Sequence, residues 1–208
     1  MTLLRAGLFA LLFSAATLLQ AAPDAVVEGI QLPAWVSRDG KRQPLVIGSE
    51  LRNNDEVATG PSSRLLLRLA DGSVVKLGEN GRLQLSDVVQ RRKEGFLGAT
   101  LRVLEGAFRF TTDAALKART SRDIVVQFPT LTAGIRGTDI WGKNLGDKEV
   151  VVLIEGKISV TRSGDQPLEM KDPLTYLQAP KGGAAAVAVT EPLVVVTLFP
   201  TQEIPVWE

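Results

Sequence analysis

The stretch that decides the fold class is residues 64–86, RLLLRLADGSVVKLGENGRLQLS. Every odd position from Leu65 to Leu69 is apolar and alternates with Arg64, Leu66 and Arg68, and the two short runs that follow also have apolar residues at odd positions. A period of two gives a strand one buried face and one solvent face. The runs are separated by residues 71–73 and 78–81, where glycine and asparagine accept the positive φ angles of tight turns. Three short strands so close together predict a β-meander or one winding of a roll.

The same strand pattern continues along the chain. Apolar runs lead into Glu105 and Gly106, and again into Glu155 and Gly156, and each pair is followed by a further alternating run. We interpret these as quasi-repeated windings of one β architecture, because their uneven spacing excludes a regular repeat array. Only residues 113–119 and 87–93 have helix-like patterns, and the second is equally compatible with a polar loop. The sequence therefore predicts an all-β protein.

The composition removes several classes of chemistry. The chain has 208 residues, of which 45% are hydrophobic, and it contains no Cys and no His. Without these residue types it has no disulfide, no thiol nucleophile, no Ser-His-Asp triad and no His-ligated zinc. The 24 Lys and Arg residues nearly balance the 23 Asp and Glu residues. This balance gives no electrostatic support for a nucleic-acid partner.

Residues 1–21 are predicted to be a cleaved signal peptide. Arg5 precedes an apolar run over residues 6–19, and small residues follow at Ala21 and Ala22. The run is shorter than the about 20 apolar residues of a membrane span, which makes an uncleaved anchor the less favoured alternative. We expect cleavage after Ala21, because Pro23 makes cleavage after Ala22 unfavourable. The mature chain is then expected to be periplasmic or secreted and not to span a membrane.

Several motifs between residues 26 and 162 resemble, in order and spacing, those of the FecR domain family. The first half is similar over residues 45–60 and at the Asp-Gly-Ser turn of residues 71–73. The second half carries the more specific run GIRGTD at residues 134–139, and residues 150–156 close the resemblance. The resemblance implies an all-β, non-catalytic domain with a twisted β-roll or solenoid-like arrangement, located in the periplasm. Residues 163–208 are expected to form a short C-terminal extension with one or two strands.

The resemblance also bears on partners. In its best-known members, this domain passes a signal from an outer-membrane receptor to a cytoplasmic sigma factor through a cytoplasmic anti-sigma segment. Too few residues precede the apolar run of this chain for such a segment, and no sigma factor is expected as a partner. The resemblance implies a stand-alone module that binds a protein or an envelope polymer, such as peptidoglycan or an outer-membrane component. Its role would lie in signalling or organisation at the cell envelope.

Two segments supply the candidate binding residues. In the first, Arg136 could contact a partner carboxylate or a glycan, with Thr138 and Asp139 beside it. The alternative is that Arg136 pairs with Asp139 or caps carbonyl groups, and two flanking glycines favour this structural role. The second segment contains Arg91 and Arg92, which could contact an anionic envelope polymer or lie in a solvated loop.

No catalytic residue, metal ligand or cofactor is assigned. The residues assigned to structural turns are Asp71, Gly72, Gly106, Gly134, Gly137 and Gly156. The Asp-Gly-Ser triplet fits a turn better than a calcium site, because calcium needs about six to eight oxygen ligands and no second acidic cluster appears. The alternative function is a carbohydrate-active enzyme or glycan-binding protein on a β-roll that uses only Asp and Glu. Glycoside hydrolysis would need two carboxyl groups about 5–9.5 Å apart.

Overall fold

The computed structural model describes residues 22–91, 96–112, 121–162, 165–181 and 195–197, and every regular element among them is a strand. No helix with the length and apolar character needed to span a membrane occurs within these ranges. The predicted all-β class is confirmed. The strands are β1 Ala25–Gln31, β2 Ala34–Arg38, β3 Lys41–Pro44, β4 Glu50–Leu51, β5 Glu56–Thr59, β6 Arg64–Leu69, β7 Val74–Leu77, β8 Arg82–Arg91, β9 Phe96–Thr111, β10 Ser121–Gln127, β11 Leu131–Ile135, β12 Asp139–Asn144, β13 Lys148–Glu155, β14 Ile158–Arg162, β15 Leu168–Met170, β16 Thr175–Pro180 and β17 Val195–Thr197.

The strands pair in two layers that the long strand β9 joins. Sheet A has the order β4-β1-β6-β7-β9-β12-β13-β16-β17 and is antiparallel throughout. Sheet B has the order β3-β2-β5-β8-β9-β10-β11-β14-β15, with one parallel pair, β9 and β10. Residues 96–105 of β9 pair in sheet B, and residues 106–111 pair in sheet A. The chain therefore forms one continuous hydrogen-bonded system folded into two layers.

The hydrophobic core lies between the two layers. Leu65 and Leu67 of sheet A and Leu83 and Leu85 of sheet B are all at most 3% exposed and belong to one apolar cluster. These are the odd-numbered positions that the period-two pattern assigns to the buried face, and that prediction is confirmed. Complete burial of one such leucine contributes roughly 2 kcal/mol, so this face accounts for much of the stability of the fold.

The predicted quasi-repeat is visible in the topology. Strands β5 to β8 run through sheet B, twice through sheet A, and back to sheet B, where β5 pairs with β8. Strands β11 to β14 repeat this path, and β11 pairs with β14. The β9 strand lies between the two windings, because both β7 and β12 pair with its second half. The two windings are thus packed side by side around a shared central strand.

Two local predictions are corrected, and a third concerns residues that the structure does not describe. Residues 87–91 form the end of β8, where pairing with β9 outweighs weak helix propensity, so the helix and loop interpretations are both wrong there. Residues 113–119, the other helix candidate, lie outside the described residues. The C-terminal extension supplies three strands, β15, β16 and β17, where one or two were expected. Strand β16 pairs with β13 at six positions.

Gly106 is predicted to lie in a turn, and this is wrong, because it lies within β9 at the point where the strand passes from sheet B to sheet A. Its φ angle is 78°, and a Cβ atom at this position would lie 2.6 Å from the Cα of Gly81. A side chain here would therefore meet both backbone strain and a backbone clash.

Gly106→Ala is expected to destabilise the protein by about 3 kcal/mol, since strain and displacement of the neighbouring turn add. Gly48→Ala is the matched control, because Gly48 has a φ of 83° but no atom within 4 Å of an added Cβ. We expect the control to lose only about 1 kcal/mol, from strain alone. Urea unfolding measures both, and equal losses would contradict the close approach of Gly106 to Gly81.

Candidate functional site

One end of sheet B brings together residues that are far apart in sequence. Ile124 of β10 lies opposite Ile135 of β11, Ile135 opposite Ile158 of β14, and Ile158 opposite Met170 of β15. All four are at most 3% exposed and point into the core. Because successive residues of a strand point to opposite faces, their immediate neighbours lie on the outer face of the sheet.

These strand neighbours, together with residues that flank the ends of β11, β14 and β15, line a groove of about 610 Å³. Arg136 follows β11, Lys157 precedes β14, and Lys171 follows β15, and all three are exposed. The groove also includes the acidic or small residues Asp123, Gly134, Ser159 and Glu169. The binding candidate Arg136 therefore has two cationic neighbours that the sequence analysis did not identify.

Arg136, Lys157 and Lys171 form a row of positive charge across three adjacent strands. With about 4.8 Å between neighbouring strands, the row spans roughly 10 Å. In the part of the chain that the structure describes, neither these cations nor Asp123 and Glu169 form an ion pair within 4 Å. Like charges on neighbouring strands repel, so the row lowers the stability of the free protein and favours occupation by an anion.

Gly134 forms part of the floor of the groove. It was assigned to a turn, and this assignment is wrong, because it is the fourth residue of β11 and pairs with Val125 and Ser159. An added Cβ would find only one atom within 4 Å, the Ser159 carbonyl oxygen at 3.9 Å. The glycine is therefore not required by backbone strain or by close packing. Its lack of a side chain leaves the outer face of β11 open.

Asp139 does not pair with Arg136, so the first of the two predicted structural roles of Arg136 is wrong. Its carboxylate accepts hydrogen bonds from Arg109 Nε at 3.0 Å and Arg109 Nη2 at 2.6 Å. The reason is register, because Asp139 lies opposite Thr111 on β9, which places Arg109 on the same face two residues away. The hydrogen bond to Asp139 raises the pKa of Arg109 above its usual value, against the effect of burial. Arg136 lies before the Gly137 turn and faces solvent.

Thr138 is also unavailable to a ligand. Its side chain is fully buried, and an added Cβ on Gly156 would lie 2.6 Å from Thr138 Cγ2. Gly137 and Gly156 have φ angles of 71° and 96°, so both occupy turns that favour glycine. The GIRGTD run therefore contains the exposed residue Arg136 and two buried residues, Thr138 and Asp139.

Arg136→Ala is expected to change the free energy of unfolding by no more than about 0.5 kcal/mol, because the side chain is exposed and makes no ion pair with a described residue. Urea unfolding of the mature chain measures the change. A loss of several kcal/mol would restore the structural role that the sequence favoured.

Arg91 lies at the same end of sheet B but is not among the residues that line the groove. It is the last residue of β8, and its guanidinium carbon lies 5.2 Å from the centre of the Phe96 ring. Arg92 lies outside the described residues. The interpretation of this segment as a separate anionic-polymer site remains a prediction.

Asp71 stabilises its own turn and also contacts the opposite layer. Its carboxylate accepts hydrogen bonds from the backbone N–H and the hydroxyl of Ser73, at 2.9 and 2.8 Å. It also lies 3.1 Å from Arg122 Nε of β10, and both side chains are at most 4% exposed. Gly72, with a φ of 86°, completes the turn. Asp71 therefore links sheet A to sheet B beside the groove.

The groove carboxylates are poorly placed for glycoside hydrolysis. Asp123 lies on β10 and Glu169 on β15, with β11 and β14 between them. Three strand spacings separate them by about 14 Å, whereas paired catalytic carboxyls lie about 5–9.5 Å apart. The geometry of this groove favours binding over bond cleavage.

A family model described as FecR protein matches residues 55–159, just over half of the chain. The chain belongs to the FecR family. The resemblance found in the sequence is thereby confirmed. Arg136 and Lys157 lie within the part of this FecR chain that the family model matches, whereas Lys171 lies in the C-terminal extension beyond it.

A solved structure supports the fold of this FecR-family chain. A crystal structure described as a "putative anti-sigma factor" from Parabacteroides distasonis is similar, with a TM-score of 0.50 and 13% sequence identity. The similarity covers 68% of this chain and 59% of that one, so this chain spans less than two thirds of the neighbour's length. A second crystal structure with the same description has a TM-score of 0.49 and the same identity and coverage. Comparison with curated proteins gives no match.

Proposed function

We propose that this FecR-family chain is a non-catalytic periplasmic module that binds an envelope protein or polymer through the groove on sheet B. The observation that carries the proposal is the row formed by Arg136, Lys157 and Lys171. Three exposed cations without ion pairs to described residues converge on one concave surface, although the chain as a whole is nearly neutral. Such a local concentration of charge is typical of a recognition surface.

The proposed location follows from the N-terminal sequence. Residues 1–21 lie outside the described residues, and their apolar run with a single preceding Arg is typical of a signal peptide. A domain without Cys can function in an oxidising compartment, where its stability then comes from packing and hydrogen bonds. Intact-mass measurement of the exported protein tests this, and a mass that includes residues 1–21 would contradict export by cleavage.

The family suggests a role in envelope signalling. FecR proteins are related to sigma and anti-sigma signalling, and the Parabacteroides neighbour is described as an anti-sigma factor. For this chain we propose a role on the envelope side of such a system, through the groove, without a contact of its own to a sigma factor. Because the sequence identity to the solved neighbour is low, the structural similarity supports only the fold, and the proposed binding role depends on the groove.

Co-sedimentation tests the proposed function. The mature chain is mixed with purified peptidoglycan sacculi and, separately, with outer-membrane fragments, and the Arg136→Ala variant is compared with it. We expect one of the two fractions to retain the mature chain, and the variant to be retained several-fold less. Lys143→Ala is the control, because Lys143 is exposed on a strand of sheet A, away from the groove. Equal retention of all three proteins would contradict binding through the groove.

A further inference from the structure

We infer that the ligand of the groove is an anionic polysaccharide segment, bound through Arg136, Lys157 and Lys171. The inference deepens the proposed function and rests on it. The cations flank the ends of three neighbouring strands, β11, β14 and β15, within about 10 Å of one another. A single small anion would leave part of the row unpaired, whereas a polymer with an anionic group on successive units can engage the whole row.

The apolar residues of the groove offer no anchor to a protein partner. Ile135, Ile158 and Met170 line it with their backbones, but their side chains are at most 3% exposed and lie in the core. Protein interfaces depend on aromatic or aliphatic side chains buried at the centre of the contact. The outward floor, formed by Gly134 and Ser159, is small and polar. Recognition here must therefore be ionic and polar, which suits an extended hydrophilic chain.

Backbone pairing with an acidic peptide is also disfavoured. The cation row crosses the strands on the outer face of sheet B, so a chain that follows the row cannot extend a ladder of backbone hydrogen bonds. Among the described strands, the nearest edge of sheet B is β15, which has three residues between Pro167 and Pro173. Short edge strands with neighbouring prolines resist the addition of another strand.

The two carboxylates limit what the groove accepts. Asp123 lies beside the Arg136 end of the row, and Glu169 lies two residues before Lys171. They repel anionic groups that extend beyond the row and can accept hydrogen bonds from sugar hydroxyls. The Arg fork and the Lys ammonium groups bind carboxylate or phosphate equally well. The shared chemistry is therefore a glycan that carries either anion.

The test measures binding of labelled polymers to the full mature chain. The anionic glycan probes are polygalacturonate, for carboxylate, and phosphorylated dextran, for phosphate. Neutral dextran, poly-glutamate and vesicles of phosphatidylglycerol are the comparison ligands. The groove variant combines Arg136→Gln, Lys157→Gln and Lys171→Gln. The matched control combines Lys41→Gln, Arg52→Gln and Lys143→Gln, which removes the same charge at exposed positions outside the groove.

We expect at least one anionic glycan to bind and neutral dextran not to bind. The groove variant should bind about 10- to 100-fold more weakly, as expected for the loss of three exposed ion pairs, and the matched control should stay within about twofold. Raising the salt concentration should weaken wild-type binding steeply, because exposed charges are screened within about 8–10 Å. Unchanged urea midpoints for both variants would show that folding is intact.

Several results would overturn the inference. These are equal binding of poly-glutamate, preferential binding of the vesicles, and equal affinities of the groove variant and the control. If both anionic glycans fail to bind while the groove variant still loses its retention on sacculi or outer-membrane fragments, the ligand class is wrong and the proposed function stands. If the groove variant is also retained like the wild type, the proposed function fails as well.

Discussion

Replacing Glu149 by alanine is expected to destabilise the domain by about 3–5 kcal/mol, the largest effect of any change considered for this chain. Glu149 lies on β13 of sheet A, is fully buried, and points toward the turn between β10 and β11 in sheet B. Its carboxylate accepts hydrogen bonds from the Thr130 N–H, the Leu131 N–H and the Thr130 hydroxyl, the last at 2.7 Å. Alanine would leave these donors without partners and would open a cavity between the layers.

Urea unfolding of three variants isolates this effect. Glu149→Gln keeps one carbonyl oxygen as an acceptor and should lose about half as much free energy of unfolding. Glu50→Ala is the matched control, because Glu50 is exposed, and we expect it to change the free energy of unfolding by about 0.5 kcal/mol or less. The proposed role of Glu149 is wrong if Glu149→Ala and Glu50→Ala unfold at the same urea concentration.

Asp139→Ala is expected to lose about 3 kcal/mol, less than Glu149→Ala and as much as Gly106→Ala. The Asp139 and Arg109 side chains are 11% and 24% exposed, and removal of the carboxylate leaves a largely buried guanidinium unpaired. The pKa of Arg109 is higher in the folded state than in the unfolded state. The stability that its charge contributes is therefore complete below the unfolded-state pKa and is lost only as the pH rises through the folded-state pKa. Arg109 therefore stays charged across the physiological range, and the loss should not vary there because of Arg109.

A double-mutant cycle tests this pair directly. Arg109→Ala and Asp139→Ala are measured singly and together, and we expect the double variant to lose about 1–3 kcal/mol less than the sum of the single losses. Arg136→Ala and Asp139→Ala combined should instead be additive, because the two side chains belong to different layers and make no ion pair. Additivity in the Arg109 cycle would contradict the pairing in the structure.

Much of the fold could be predicted because it depends on patterns among residues that are close together in the sequence. Alternation of Leu65, Leu67 and Leu69 with Arg64, Leu66 and Arg68 indicates a strand with one buried face. The Asp71 turn needs only residues within two positions of it. The helix candidate at residues 87–93 is wrong over residues 87–91, because pairing with β9 outweighs weak local propensity there. Local patterns are reliable where the tertiary environment agrees with them.

The candidate site could be predicted only in part. Arg136 is conspicuous because two glycines flank it, but Asp139, one of its predicted partners, pairs with Arg109 instead. Asp139 is close to Arg136 in the sequence and far from Arg109, so the sequence favours the wrong pair. Lys157 and Lys171 carry no sequence signal of their own. They join Arg136 because β11 pairs with β14 and β14 with β15.

The amino-acid sequence by itself determined the all-β class, the buried face of each early strand, the turn at Asp71 and the FecR resemblance. Each of these depends on residues close together in the chain, where steric preference and the period of two act directly. The tertiary structure alone decided that Asp139 binds Arg109, that Glu149 supports a turn in the opposite layer, and that three separated cations share one groove. These outcomes depend on which strands become neighbours and in what register, and a shift of one residue would turn every one of these side chains to the other face.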